Sequence, residues 1–291
     1  MDVWQIINQI TAVPISNNAT VTQLQHEEDD AFYQVWKITT DNASYILKES
    51  KGREAEIYQS VLSMIKNSVP AVHQTLVFDG KTYLFMEYVA GKNLCKCTRE
   101  RLILALDALI ALQEQTWGGA GFAMAEEFFR ESVLHRQNRG KYLNDAVLEN
   151  AYEKFLQVYQ STPKALCHDD LLPFNILISA ERAVLIDWEA GGILPYPTSF
   201  ARLIAHAEEC ENALFYMSQA DKEFAVDYYY EHLLKGKGVS YQDWRKTLDY
   251  FLFYEYCEWV FVGNKYNATD GEYFKKYLPL AKAQASQLEK Y

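Results

Sequence analysis

Leu166-Cys167-His168-Asp169-Asp170-Leu171-Leu172-Pro173-Phe174-Asn175-Ile176-Leu177-Ile178, followed closely by Ala183-Val184-Leu185-Ile186-Asp187-Trp188-Glu189, decides how this 291-residue sequence reads. The first segment spells H-x-D-x-x-x-x-N and runs straight into an apolar strand. The second is a short apolar run that ends on a carboxylate. Phosphoryl transfer from ATP needs one carboxylate to orient and deprotonate the attacking hydroxyl, and two oxygen ligands to hold Mg²⁺ against the phosphates. The spacing predicts Asp170 as the first, with Asn175 and Asp187 as the metal ligands, because a hairpin over 176–186 returns Asp187 to the loop. Asp169, the other member of the doublet, lacks the spacing to Asn175 and is expected to be a solvated neighbour. His168 is expected to brace the loop through backbone hydrogen bonds and not to act as a base.

N-terminal to this segment, residues 20–25, 32–39 and 44–49 are rich in Val, Tyr, Trp, Ile and Thr and read as strands. A helix over 2–10 precedes them, with Val3, Ile6, Ile7 and Ile10 on one face. The third strand ends in Tyr45-Ile46-Leu47-Lys48. A lysine closing such a strand can meet nucleotide phosphates if a carboxylate holds it in place. The following helix, 53–62, packs through Ile57, Tyr58, Val61 and Leu62, and Glu54 lies one turn earlier on that face while Glu56 points away. Lys48 and Glu54 are therefore the predicted pair. Strands at 75–78 and 83–88 follow, and Val89-Ala90-Gly91-Lys92 breaks the pattern.

His168-x-Asp170-x-x-x-x-Asn175, followed by Ile186-Asp187-Trp188-Glu189, resembles the aminoglycoside phosphotransferase and choline kinase superfamily, whose metal loop reads D-x-E or D-x-G. The resemblance implies a protein-kinase-like α+β fold in two lobes, 1–88 and 89–291. A small antiparallel sheet with one helix sits over a mainly helical part, with ATP and Mg²⁺ between them. It also implies that adenine bonds to the hinge backbone around Glu87, Tyr88 and Val89. Two departures stand out. The turn His26-Glu27-Glu28-Asp29-Asp30 is acidic and lacks the glycines that usually cover the phosphates. Ser199 stands where the family usually has the Asp that braces the catalytic loop.

The rest of the chain reads as helical. Thr98 is the expected N-cap for a helix over 100–115, and helices at 126–136 and 144–159 lead into Pro163. Gly191 to Pro197 reads as a turn-rich linker into a helix over 198–211. Helices at 222–234, 243–262 and 272–290 complete an unusually aromatic tail. The last but one carries Trp244, Leu248, Phe251, Trp259 and Val262 at helical steps. Glu255 falls on that stripe in an apolar slot, one helical turn from Trp259. A carboxylate there needs a partner. One candidate is a cationic acceptor, also in contact with Trp259; the other is a buried Arg or Tyr of the chain itself.

The net charge of −11 argues against nucleic acid or an anionic membrane as partners and suits a small cationic acceptor. Such an acceptor could be an aminoglycoside-like antibiotic or an amino alcohol such as choline or ethanolamine. Five cysteines without a paired framework read as reduced thiols. With no leader-like start and no apolar run of membrane length, the expectation is a cytoplasmic protein. The sequence does not set an oligomeric state. A pseudokinase that only binds would be expected to lack Lys48, Asp170 or Asp187, and all three are present. The sequence thus predicts an ATP-dependent small-molecule phosphotransferase.

Overall fold

The computed structural model describes residues 3–11, 18–25, 31–119, 122, 124–210 and 212–291. The acidic turn at 26–30 lies outside the described residues, so the segment expected to cover the phosphates is not placed. The described N-terminal part opens with α1 (Val3–Ile10), which buries the predicted Ile6, Ile7 and Ile10. Next come β1 (Thr20–Gln25), β2 (Phe32–Thr39) and β3 (Ser44–Glu49), at the expected positions. α2 (Glu54–Ser60), β4 (Val72–Phe78) and β5 (Lys81–Glu87) follow. The five strands form one antiparallel sheet in the order β1-β2-β3-β5-β4.

Strand periodicity sends alternate residues to opposite faces. On one face Leu47, Tyr83 and Phe85 join α1 in a small core. On the other, Leu84 and Met86 meet Ile57 and Tyr58 of α2 within the large core. This second packing holds α2 against the sheet and so brings Glu54 under the end of β3. The sequence-based boundary at 88/89 falls where β5 ends. The large core nevertheless spans it, with Leu84 and Met86 on one side and Leu102 and Leu106 on the other.

Beyond β6 (Lys92–Asn93), the chain becomes mainly helical with α3 (Arg99–Gln115), α4 (Ala125–Gly140) and α5 (Ala146–Ser161). Thr98 caps α3 as expected, accepting from the backbone N–H of Arg101. Asp145 caps α5 by accepting from Val147 and Leu148. Then come β7 (Lys164–His168), β8 (Ile176–Ile178), β9 (Ala183–Leu185) and β10 (Gly191–Pro195).

β10 corrects the sequence reading, which had a linker there. Its five residues are buried and pair antiparallel with β7. The two glycines make this possible. A Cβ on Gly191 would lie 2.7 Å from the Trp188 ring, and one on Gly192 would lie 3.2 Å from the Phe128 side chain. Glycine, usually a turn signal, here allows close packing. α6 (Pro197–Ala205) stops six residues short of its expected end at 211. α7 (Gln219–Tyr229), which continues as a π-helical turn over Tyr230–Leu234, α8 (Tyr241–Lys265) and α9 (Glu272–Leu288) complete the fold. α8 packs against both α6 and α9. None of the described helices is long and apolar enough to cross a membrane.

Candidate active site

The loop between β7 and β8 is held from three sides. The backbone N–H of His168 donates to Ser199 Oγ at 2.8 Å, so the serine makes the bracing bond despite replacing an Asp. The buried His168 ring places Nε2 2.7 Å from the Ile186 carbonyl, and Nδ1 accepts from the Asp170 N–H at 3.2 Å. These partners assign the proton to Nε2. Burial lowers the histidine's pKa and favours this neutral form. The imidazole is thus a brace, as the sequence predicts.

Asn175 donates through Nδ2 to the Asp170 carbonyl at 2.8 Å, which fixes its side chain over the loop. The β8–β9 hairpin then returns the chain, and Ile186 N–H bonds the Asn175 carbonyl at 2.9 Å. The next residue, Asp187, has φ +65 and ψ +61. Asp is among the residues that tolerate this left-handed region, and non-glycine residues held there cluster at functional sites. Asp170, Asn175 and Asp187 are therefore joined by one hydrogen-bonded scaffold.

Lys48 arrives from β3. Its Nζ lies 2.7 Å from Glu54 Oε1 and 2.5 Å from Asp187 Oδ1, so it bridges the predicted carboxylate and the predicted metal ligand. Burial works against the ammonium, but Glu54 and Asp187 hold its pKa above the ordinary lysine value. Glu54 is fully buried, its Oε2 has no partner among the described residues, and burial pushes its carboxyl up against the opposing pull of Lys48. A carboxylate and an amide oxygen beside a loop of this kind suit Mg²⁺, a hard cation that takes oxygen ligands.

Asp169 differs from the sequence reading. It is not a solvated neighbour: it pairs with Arg136, whose side chain is wholly buried between the rings of Tyr159 and Tyr254 at 4.4 and 4.8 Å. The burial of Arg136 is a tertiary event, and α4 shows no apolar periodicity that would have flagged it.

Asp170 also has an unforeseen partner. Arg202, on α6, donates to Asp170 Oδ1 through Nε at 3.1 Å and Nη2 at 2.7 Å. Its Nη1 reaches Glu255 at 3.0 Å, His206 Nε2 at 3.0 Å, and Glu258. The sequence-predicted Glu255 is buried, and its carboxylate is met by Arg202, an arginine of the chain itself and not an acceptor, and also by His206. Trp259 is half-buried and stacks on Tyr273 with 4.3 Å between ring centroids. Arg202 did leave a signal in the sequence, as the lone charge in the otherwise apolar run Phe200-Ala201-Arg202-Leu203-Ile204.

At the hinge, the N–H of Glu87 bonds the Ala71 carbonyl at 2.8 Å, and its carboxylate pairs with Arg182. Lys37 lies 3.9 Å over the Tyr88 ring, and Val89 is buried. All five cysteines are free thiols, as the sequence predicts.

Comparison with known proteins places this arrangement. Over 159 residues the chain is 24% identical to the protein LicA of Haemophilus influenzae, a stretch covering 54% of this chain and 56% of that one. The chain thus spans about half the length of that relative. Among solved structures, a choline/ethanolamine kinase family protein from Mesorhizobium loti superposes with a TM-score of 0.63 at 16% identity, covering 100% of this chain and 96% of the other. The choline kinase LicA of Streptococcus pneumoniae gives 0.58 at 17%, covering 99% and 100%. A thermostable mutant of aminoglycoside phosphotransferase APH(4)-Ia, in ternary complex with AMP-PNP and hygromycin B, gives 0.55 at 15%, covering 92% of each chain. These likenesses establish the kinase-like fold. Residues 22–227 match the phosphotransferase enzyme family denoted APH, a span that takes in nearly all of the sheet and the segments carrying Asp170, Asn175 and Asp187, and this chain belongs to that family.

Proposed function

We propose that this protein transfers the γ-phosphoryl group of ATP, bound with Mg²⁺, to a hydroxyl of a small molecule. The observation that carries this reading is the single cluster formed by Lys48, Glu54 and Asp187 beside Asp170 and Asn175. Bound Mg²⁺-ATP supplies the phosphoryl group, with its charge partly neutralised by the metal. Asp170 accepts the proton of the attacking hydroxyl through the carboxylate oxygen that Arg202 leaves open. Asn175 and Asp187 would be the oxygen donors to the metal. Lys48, held by Glu54, would offer its charge to the phosphates. The backbone of Glu87, Tyr88 and Val89 would take the adenine, the Glu87 N–H being already bonded to the Ala71 carbonyl. Positioning and fixed charge supply most of the rate.

For the acceptor, the relatives' names point to choline, a quaternary ammonium, and to hygromycin B, an amine-bearing antibiotic. With the net charge of −11, they support a small acceptor that is cationic overall. Trp259, half-buried on α8, is the aromatic element that would border it.

The test begins with thermal shifts. Mg²⁺-ATP at about a hundred times its Kd should stabilise the protein by about 2.7 kcal/mol. Asp187→Ala should abolish the gain in ATP affinity that Mg²⁺ brings. A variant that keeps the wild-type Mg²⁺ dependence removes Asp187 from metal binding. ADP release is then followed with a panel of amino alcohols, antibiotics and sugars. A protein that only binds nucleotide would shift with Mg²⁺-ATP and release ADP with none of them.

A further inference from the structure

His206, Glu255 and Glu258 bring one ligand atom each within 4.8 Å of one another, the arrangement of a small metal site. Arg202 fills it instead, its Nη1 touching all three. Its Nε and Nη2 both go to Asp170 Oδ1, so every nitrogen of the guanidinium has a partner. Glu258 also takes Arg139 at 3.2 Å. Asp170, Glu255 and Glu258 are therefore each paired within the chain. A cation held by three carboxylates and only 13% exposed is a resident group, because moving it would take the shared cation from all three at once and leave Glu258 with Arg139 and Glu255 with His206 alone.

From this geometry we infer that Arg202 determines acceptor specificity. It occupies the cation position next to Asp170, so the chain takes a polyol-like hydroxyl acceptor with no ammonium within about 5 Å of the reacting oxygen. This rests on the phosphotransferase reading with Asp170 as base, and it divides the acceptor classes considered there. The reacting hydroxyl must lie within about 3 Å of the Asp170 carboxylate, and Arg202 Nη2 is 2.7 Å from the same group. In choline or ethanolamine the nitrogen is two carbons from the hydroxyl, which keeps it within about 5 Å of the carboxylate that the guanidinium already holds. With Asp170, Glu255 and Glu258 already paired to Arg202, an ammonium there finds no open carboxylate and meets a like charge, which should cost roughly tenfold in affinity relative to a site that leaves those carboxylates open. Positive groups farther along a larger acceptor are not penalised.

The experiment compares choline with neohexyl alcohol, in which carbon replaces the nitrogen and shape is kept. Binding of each is measured by calorimetry with wild type, Arg202→Lys and Arg202→Gln. Wild type and Arg202→Lys should bind choline no better than the neutral alcohol. Arg202→Gln opens a hole facing three carboxylates, and its choline-to-neohexyl ratio should rise by tenfold or more. A merely structural arginine would alter both ligands equally. Wild type favouring choline by tenfold, or Arg202→Gln leaving the ratio unchanged, overturns the assignment. If Arg202→Gln does not fold, the charge-balanced Arg202→Gln/Glu258→Gln variant carries the same expectation and the same disproof. Mg²⁺-ATP stabilisation of the same samples reports separately on the phosphotransferase reading, so a missing ATP response sinks that reading while the ligand ratio still judges Arg202.

Discussion

Asp170→Asn lowers turnover by about 10²–10⁴-fold, the usual worth of general-base help, while Mg²⁺-ATP binding is retained. That loss corresponds to about 3–5 kcal/mol of transition-state stabilisation. The fold should survive, because the asparagine oxygen can still accept from Arg202 and because Arg202 keeps Glu255 and Glu258. His168, Asn175 and Ser199 hold the loop through backbone atoms of His168 and Asp170, which the substitution does not change. Steady-state turnover with an acceptor identified from the panel, alongside a Mg²⁺-ATP thermal shift, checks both halves. Turnover close to wild type would remove Asp170 from the role of base. Asp169→Asn should cost far less turnover, and the reverse ranking would reassign the doublet.

Asp169→Ala acts on stability instead. Arg136 has a side-chain exposure of 0%, and Asp169 is the carboxylate paired with it. Taking that carboxylate away leaves a guanidinium in the core between two tyrosine rings. Breaking a buried pair from one side costs about 3–5 kcal/mol. For a chain of this size the melting temperature should fall by roughly 10 °C. Arg136→Met/Asp169→Ala should recover a large part of the loss, since an apolar side chain of similar length fills the space without a charge. Calorimetric melts of the single and double variants decide the matter. A single variant within about 1 kcal/mol of wild type would place Asp169 among exposed pairs of little consequence.

The loop carrying Asp170 and Asn175, the loop carrying Asp187 and the sheet were legible because each is written in local sequence. The five-residue spacing selects Asp170 and Asn175, and the short hairpin returns Asp187 beside them. Apolar helical spacing puts Glu54 on the face that meets Lys48, and that pair forms at 2.7 Å. Strand alternation likewise divides the sheet residues between two cores. Asp169, Arg136 and Arg202 were decided only by tertiary structure. Their partners lie 32 or more residues away: Asp169 with Arg136 at 33, Arg202 with Asp170 at 32 and with Glu255 at 53. A charged residue at a helix position reads as solvated until another helix covers it. Desolvation then demands a partner that local patterning does not specify. The same holds for Gly191 and Gly192, whose missing side chains signal a turn locally but in the fold make room for Trp188 and Phe128. Glu255 lies between the two cases. Its slot on α8 announced a buried carboxylate, and only the approach of α6 determined that the cation meeting it is Arg202.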